Sequence, residues 1–255
     1  MPGVSDIAIC VRHWDWSETS QTLSLMTREH GLLRCIAKGS KREKSAFSGG
    51  LELCSLGEFN AIIKPSSELA LLTSWDLQDP MPMVRRTSER FNACMYAIDL
   101  IPRLILDHDP HPEVFDALHT TLDAIGGMEP CDRGVPILAA LVWYQWKLLV
   151  HTGSKPELRA DVATGEQLDD AKVYGFSASY GGVTVDPGPN GPDSVVRVRA
   201  RTIEVLRALD SGADADGLLG HQGGELERAG RLLGMCISTI LGQESPAFRC
   251  VYPEA

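Results

Sequence analysis

The spacing of apolar residues changes once along this chain, near Pro80 and Pro82, and no other feature constrains the fold as strongly. Upstream, apolar and polar residues alternate in short runs closed by turn residues, as half-buried strands require. Downstream, apolar residues recur three and four apart, which places them on one face of a helix. A single switch of period reads as an α+β chain with an all-β head and an all-α body. The expected division is 1–80 and 81–255, which suits the length of 255 residues.

In the head, Ile7–Arg12, Gln21–Thr27, Leu32–Gly39, Gly57–Lys64 and Leu69–Trp75 read as strands. Turns are expected at His13–Glu18, Glu29–Gly31 and Pro65–Ser67, with a polar basic loop from Ser40 to Gly50. Five short strands at this spacing suggest a small barrel. In the body, Phe91, Cys94, Ile98, Ile101 and Ile105 share a helix face, with Pro102 expected to kink it. Phe115, Leu118, Leu122 and Ile125 mark a second helix ended by Gly126-Gly127. Further helices are expected over Pro136–Val150, Arg199–Leu209 and Gly224–Leu241. Residues 153–194 are rich in Gly and Pro without a helical period, and read as a loop or small ribbon.

Composition excludes several classes. At 44% hydrophobic and 23% charged residues the chain is neither disordered nor fibrous, and no apolar run reaches the length of a membrane span. The N-terminus has no basic segment followed by an apolar one, and the seven cysteines are scattered, never spaced as Cys-x-x-Cys. Free buried thiols in a reducing cytoplasm are therefore expected. The first 75 residues balance eight cations against eight carboxylates, so the net charge of −10 falls wholly on the remainder. Two regions with different tasks follow from that asymmetry.

Arg34, Lys38, Lys41, Arg42 and Lys44 put five cations in eleven residues on a strand end and a loop flanked by Gly39, Gly49 and Gly50. Either this is a solvated loop or it meets phosphates; placement on a five-stranded barrel favours phosphates, because such barrels bind oligonucleotides. Arg12 and Arg28 extend the same face. Trp14, Trp16 and Phe47 are each candidates to stack on bases, and equally candidates for packing. Asp107, His108, Asp109 and His111 cluster in sequence, but Pro110 breaks the helix that would align them, so a surface loop is expected rather than a metal site. Trp143, Tyr144 and Trp146 suit core packing, with a partner groove as the alternative. Phosphate-loop, dinucleotide and nucleophile-elbow motifs are absent, so no enzyme and no cofactor are expected.

Arg28-Glu29-His30-Gly31, Ala37-Lys38-Gly39-Ser40-Lys41 and Gly50-Leu51-Glu52-Leu53, in this order and spacing, resemble the N-terminal signature of the bacterial RecO family of DNA repair proteins. The similarity is strongest over residues 7–75 and continues weakly to Arg231-Leu232-Leu233. The resemblance implies an OB-fold head, a helical domain, and a cytoplasmic, nucleoid-associated protein. It further implies binding of single- and double-stranded DNA, annealing of complementary strands, and action with RecR in loading RecA onto DNA coated by the single-stranded-DNA-binding protein SSB. Arg34, Lys38, Lys41, Arg42 and Lys44 would be the phosphate contacts, with Arg28 and Arg12 beside them. The acidic, apolar-ended SSB tail would dock on the helical domain, where Arg85, Arg86 and Arg90 supply cations. Many relatives carry two Cys-x-x-Cys pairs that bind zinc in a ribbon interrupting that domain. Residues 153–194 occupy that place as a degenerate insertion with no cysteine, so four-sulfur zinc binding is excluded. An adaptor that binds RNA or protein is the alternative reading.

Overall fold

The computed structural model describes residues 3–42, 45–64, 67–128 and 134–253, in two compact units, 1–127 and 128–255. In the first unit, β1 (Gly3–Asp15), β2 (Gln21–Thr27), β3 (Leu32–Ala37), a two-residue β4 (Phe47–Ser48), β5 (Leu56–Ile62) and β6 (Ala70–Asp79) form one sheet. Among the described residues its order is β3-β2-β1-β5-β6-β4, and β3 also pairs with β6. That pairing is parallel, from Cys35 opposite Ala70 to Ala37 opposite Leu72, and it closes the five longer strands into a barrel consistent with an OB-fold.

The barrel follows from one long strand and strict alternation. β1 serves both neighbours, pairing with β5 over Gly3–Ile9 and with β2 over Ala8–Asp15, and it bends at a bulge between Cys10 and Arg12. Leu23, Leu25, Leu33, Cys35, Phe59, Leu72 and Trp75 fill the interior. The intervening residues face outward, so Arg12, Ser24 and Arg34 lie side by side across β1, β2 and β3. Gly57 lets the Trp75 ring lie across β5, since a Cβ there would fall 2.4 Å from the ring.

Two helices complete this unit. α1 (Ser88–Leu104) starts at Thr87, whose side chain accepts from the Arg90 N–H, and contains Pro102 in its last turn. α2 spans Pro112–Gly127. α1 packs against β1 and α2 against β2. The loop between them docks on the start of β3, where His108 N–H donates to the Leu32 carbonyl at 3.0 Å. Gly31 permits this on two counts: its φ is +70°, and a Cβ would fall 2.3 Å from the Asp109 carbonyl oxygen.

In the second unit, α3 (Val135–His151) packs against α5 (Gly223–Leu241), with α4 (Ala200–Asp210) and a short α6 (Phe248–Val251) alongside. Tyr144 and Trp146 are core residues, while Trp143 is half-buried under Lys147, whose Nζ lies 5.5 Å from the ring centre. The Gly- and Pro-rich stretch forms a small antiparallel sheet. It comprises β7 (Val173–Ser177), β8 (Gly182–Thr184) and β9 (Val196–Arg199) in the order β8-β7-β9. β9 occupies residues just before α4 that sequence periodicity had not marked as a strand.

Carboxylates hold this ribbon together. Glu157 Oε1 accepts the N–H groups of Leu158, Arg159 and Ala160 at 3.0, 2.7 and 3.0 Å. Buried Asp161 accepts from Ala163 at 2.8 Å and from Val185 at 3.4 Å. These carboxylates are committed to backbone, and among the described residues no three His, Cys, Asp or Glu side chains converge on a metal position. With no cysteine in residues 153–194, the ribbon does not fit the four-sulfur zinc site that the sequence resemblance raised. Elsewhere Cys10, Cys35, Cys54, Cys94 and Cys236 are free and buried, and burial pushes the thiols of Cys35, Cys54 and Cys236 up to about 12. No helix among the described residues is long and apolar enough to cross a membrane.

Candidate nucleic-acid interface

At one end of the barrel the β1–β2 turn meets the segment after β3. Lys41 N–H donates to the Thr19 carbonyl at 3.2 Å, Gly39 N–H to Ser20 Oγ at 3.2 Å, and Ser40 Oγ to Gln21 Oε1 at 3.0 Å. This brings Trp14 and Trp16, 52% and 64% exposed, to the same end as Lys38, Lys41 and Arg42. Trp14 lies opposite Thr22, which lies opposite Ile36, so its ring shares the outer face of β1–β3 with Arg34. Phe47 is different: it is buried in the barrel core. Exposed aromatic rings among cations are what a single strand needs, with stacking for bases and charge for phosphates.

Four candidate cations of the first unit have carboxylate partners. Arg12 reaches Asp99 at 3.1 Å, and Asp99 also holds Arg103 at 2.7 Å. Arg28 grips both oxygens of Asp116 at 3.0 Å each, and that guanidinium holds the Asp116 carboxyl below its ordinary value. Arg34 contacts Asp107 at 3.0 Å, and Lys41 contacts Asp15 at 2.5 Å. Among the described residues Lys38 and Arg42 make no ion pair, while Lys44 lies outside them. The carboxylates come from α1, α2 and the loop between them as well as from β1. Sequence offers no signal for such pairings across space.

The three arginines assigned to a protein partner are separated in their tasks. Arg85 donates to the Leu53 and Pro80 carbonyls at 2.6 and 3.1 Å, Arg90 is buried, and Arg86 is exposed beside Met83 Sδ at 3.9 Å. A groove of about 400 Å³ in the second unit escaped sequence reasoning because it depends on β9. Val196, Val198, Leu232 and Met235 give it an apolar floor, with Arg199 and Arg228 among its cations.

A five-stranded barrel with aromatic and basic residues at one end, followed by helices, is an architecture consistent with the OB-fold class. The family models agree. The Recombination protein O N-terminal model matches residues 1–81 and the C-terminal model matches residues 85–246, so the chain belongs to the RecO family of DNA repair proteins. It is similar to the DNA repair protein RecO of Rhodopirellula baltica, 31% identical over 205 residues, covering 80% of this chain and 74% of the relative. The RecO of Idiomarina loihiensis is 32% identical over 179 residues, covering 69% and 72%. That of Anaeromyxobacter sp. strain K is 28% identical over 212 residues, covering 83% and 81%.

Proposed function

We propose that this chain is a non-enzymatic mediator of recombinational repair, working in the cytoplasm at the nucleoid. It binds single- and double-stranded DNA through residues 1–80, anneals complementary strands and, with RecR, helps load RecA onto SSB-coated DNA. The observation that carries this reading is the meeting of Trp14 and Trp16 with Lys38, Lys41 and Arg42 at one barrel end. Phosphate neutralisation dominates the affinity, so binding ignores sequence and falls as salt rises. Arg34 and Lys44 extend the contact, whereas Arg28 and Arg12 chiefly tie the barrel to α2 and α1. In the helical domain, residues 81–255, the groove beside β9 suits an acidic, apolar-ended SSB tail better than Arg85, which holds the Leu53 and Pro80 carbonyls, or Arg90, which is buried.

The test is annealing of complementary strands pre-coated with SSB, at low and moderate salt. Acceleration that weakens with salt is expected, and the triple reversal Lys38→Glu, Lys41→Glu, Arg42→Glu should abolish it. Undiminished DNA binding by that folded variant would overturn the site. A second reading, an adaptor for RNA or protein, draws on the carboxylates that occupy four of the head's cations. Preference for structured RNA over single-stranded DNA in direct competition would favour it.

A further inference from the structure

The ion pairs of the first unit differ in how firmly they are held. Arg28 and Asp116 are joined by two bonds, and Asp99 is shared by Arg12 and Arg103. Arg34–Asp107 and Lys41–Asp15 each rest on one contact, with side chains 56% and 36% exposed in the first pair and 33% and 68% in the second. Single exposed contacts of this kind have little net strength, so a denser anion can displace them.

The Arg34–Asp107 pair lies on the outer face that carries Trp14, and the Lys41–Asp15 pair lies at the barrel end beside the β1–β2 turn. Arg34 and Asp107 line one groove of about 850 Å³, together with Lys64, Ser67, Glu68, Leu69 and His108. Asp107 is not there by chance of rotamer. A bridge between Leu32 and Asp107, with His108 at φ +61°, fixes its backbone against the start of β3. Arg34 and Lys38 are four residues apart along an extended chain, about 13 Å.

We infer that Asp107 and Asp15 are built-in competitors for phosphate, and that the 850 Å³ groove is a further subsite of the nucleic-acid track. This rests on the proposed DNA binding. A phosphodiester chain runs from the Trp14 and Trp16 end along β3 into the groove, and it gains Lys41 and Arg34 only by displacing the two carboxylates. The free protein thus keeps both cations occupied, and a single phosphate gains little. A strand long enough to reach both places displaces both, so affinity is modest but climbs steeply with strand length.

Full-length chain is titrated with fluorescent oligothymidylate of increasing length, as wild type and as Asp107→Asn, Asp15→Asn and the double variant. Asp123→Asn, an exposed position on α2 without an ion pair among the described residues, is the charge-matched control. Each single variant is expected to bind up to about 5-fold tighter. Its salt dependence should steepen by about 0.7 per cation released, and the control should change neither quantity. Asp107→Glu, which keeps the charge, should bind as wild type. If Asp107→Asn and Asp15→Asn tighten binding no more than Asp123→Asn while wild type binds, the competitor role fails and the DNA reading stands. Wild type that does not bind at low salt overturns the DNA reading itself, and this inference with it.

Discussion

The barrel and the ribbon are both small β structures, yet different forces hold them. The barrel closes on itself around Leu23, Leu25, Leu33, Phe59 and Trp75, so its strands are fixed by buried apolar surface. The ribbon has only three short strands, and its turns are set by Glu157 and Asp161 accepting backbone N–H groups. One is insensitive to protonation at its centre, whereas the other depends on two carboxylates staying ionised. Charge-assisted hydrogen bonds from these two carboxylates organise the turns of the ribbon.

The difference can be broken from either side. Trp75→Ala, which empties the barrel centre, is expected to cost about 3–5 kcal/mol, read as a lowered urea midpoint, with barrel amides losing exchange protection. Asp161→Ala removes the acceptor for the Ala163 and Val185 N–H groups and should cost about 1–3 kcal/mol. Its loss of amide protection should be confined to the ribbon; equal loss across the barrel would show the two regions unfolding together. Asp161→Asn keeps an acceptor and should recover part of the effect.

Acid sharpens the contrast without mutation. Three backbone N–H groups, led by that of Ala160, hold Glu157 below its ordinary value, and the Ala163 N–H does the same for Asp161. Groups lowered in the folded chain contribute fully above their unfolded values and lose that contribution as pH falls through the folded ones. Ribbon amides should therefore lose protection, measured against their intrinsic exchange rates, as pH drops below about 4, before those of the barrel interior. The smallest effect is expected at the surface: Asp107→Asn and Asp15→Asn should shift stability by less than about 0.5 kcal/mol. Melting curves that move further would mean these pairs carry structure as well as competing for ligand.

Much of this was legible in the sequence because it is periodic. Gln21–Thr27 alternates cleanly and is a strand over those residues, and the apolar face from Phe115 to Ile125 lies within α2. β1 begins at Gly3 and runs well past the Ile7–Arg12 core, since pairing with two neighbours extends a strand beyond its apolar centre. β9 was not legible: four residues beside a helix start carry too short a pattern, and only the partner β7 makes them a strand. Within the candidate site the cations could be read locally. Their carboxylates could not, since Asp99 and Asp116 lie 87 and 88 residues from Arg12 and Arg28. Exposure separated Trp14 and Trp16 from Phe47 for the same reason, because burial depends on what the whole barrel places nearby.

The placement of the tryptophans also gives the protein its own optical probe. Of five in the sequence, Trp75 and Trp146 are enclosed, Trp143 is half-covered by Lys147, and Trp14 and Trp16 face water at one end of the barrel. Emission at longer wavelengths therefore originates chiefly from that end. Bases stacking there would quench the red part of the spectrum and leave the blue part from the enclosed rings, so an unlabelled titration can locate a bound strand as well as detect it.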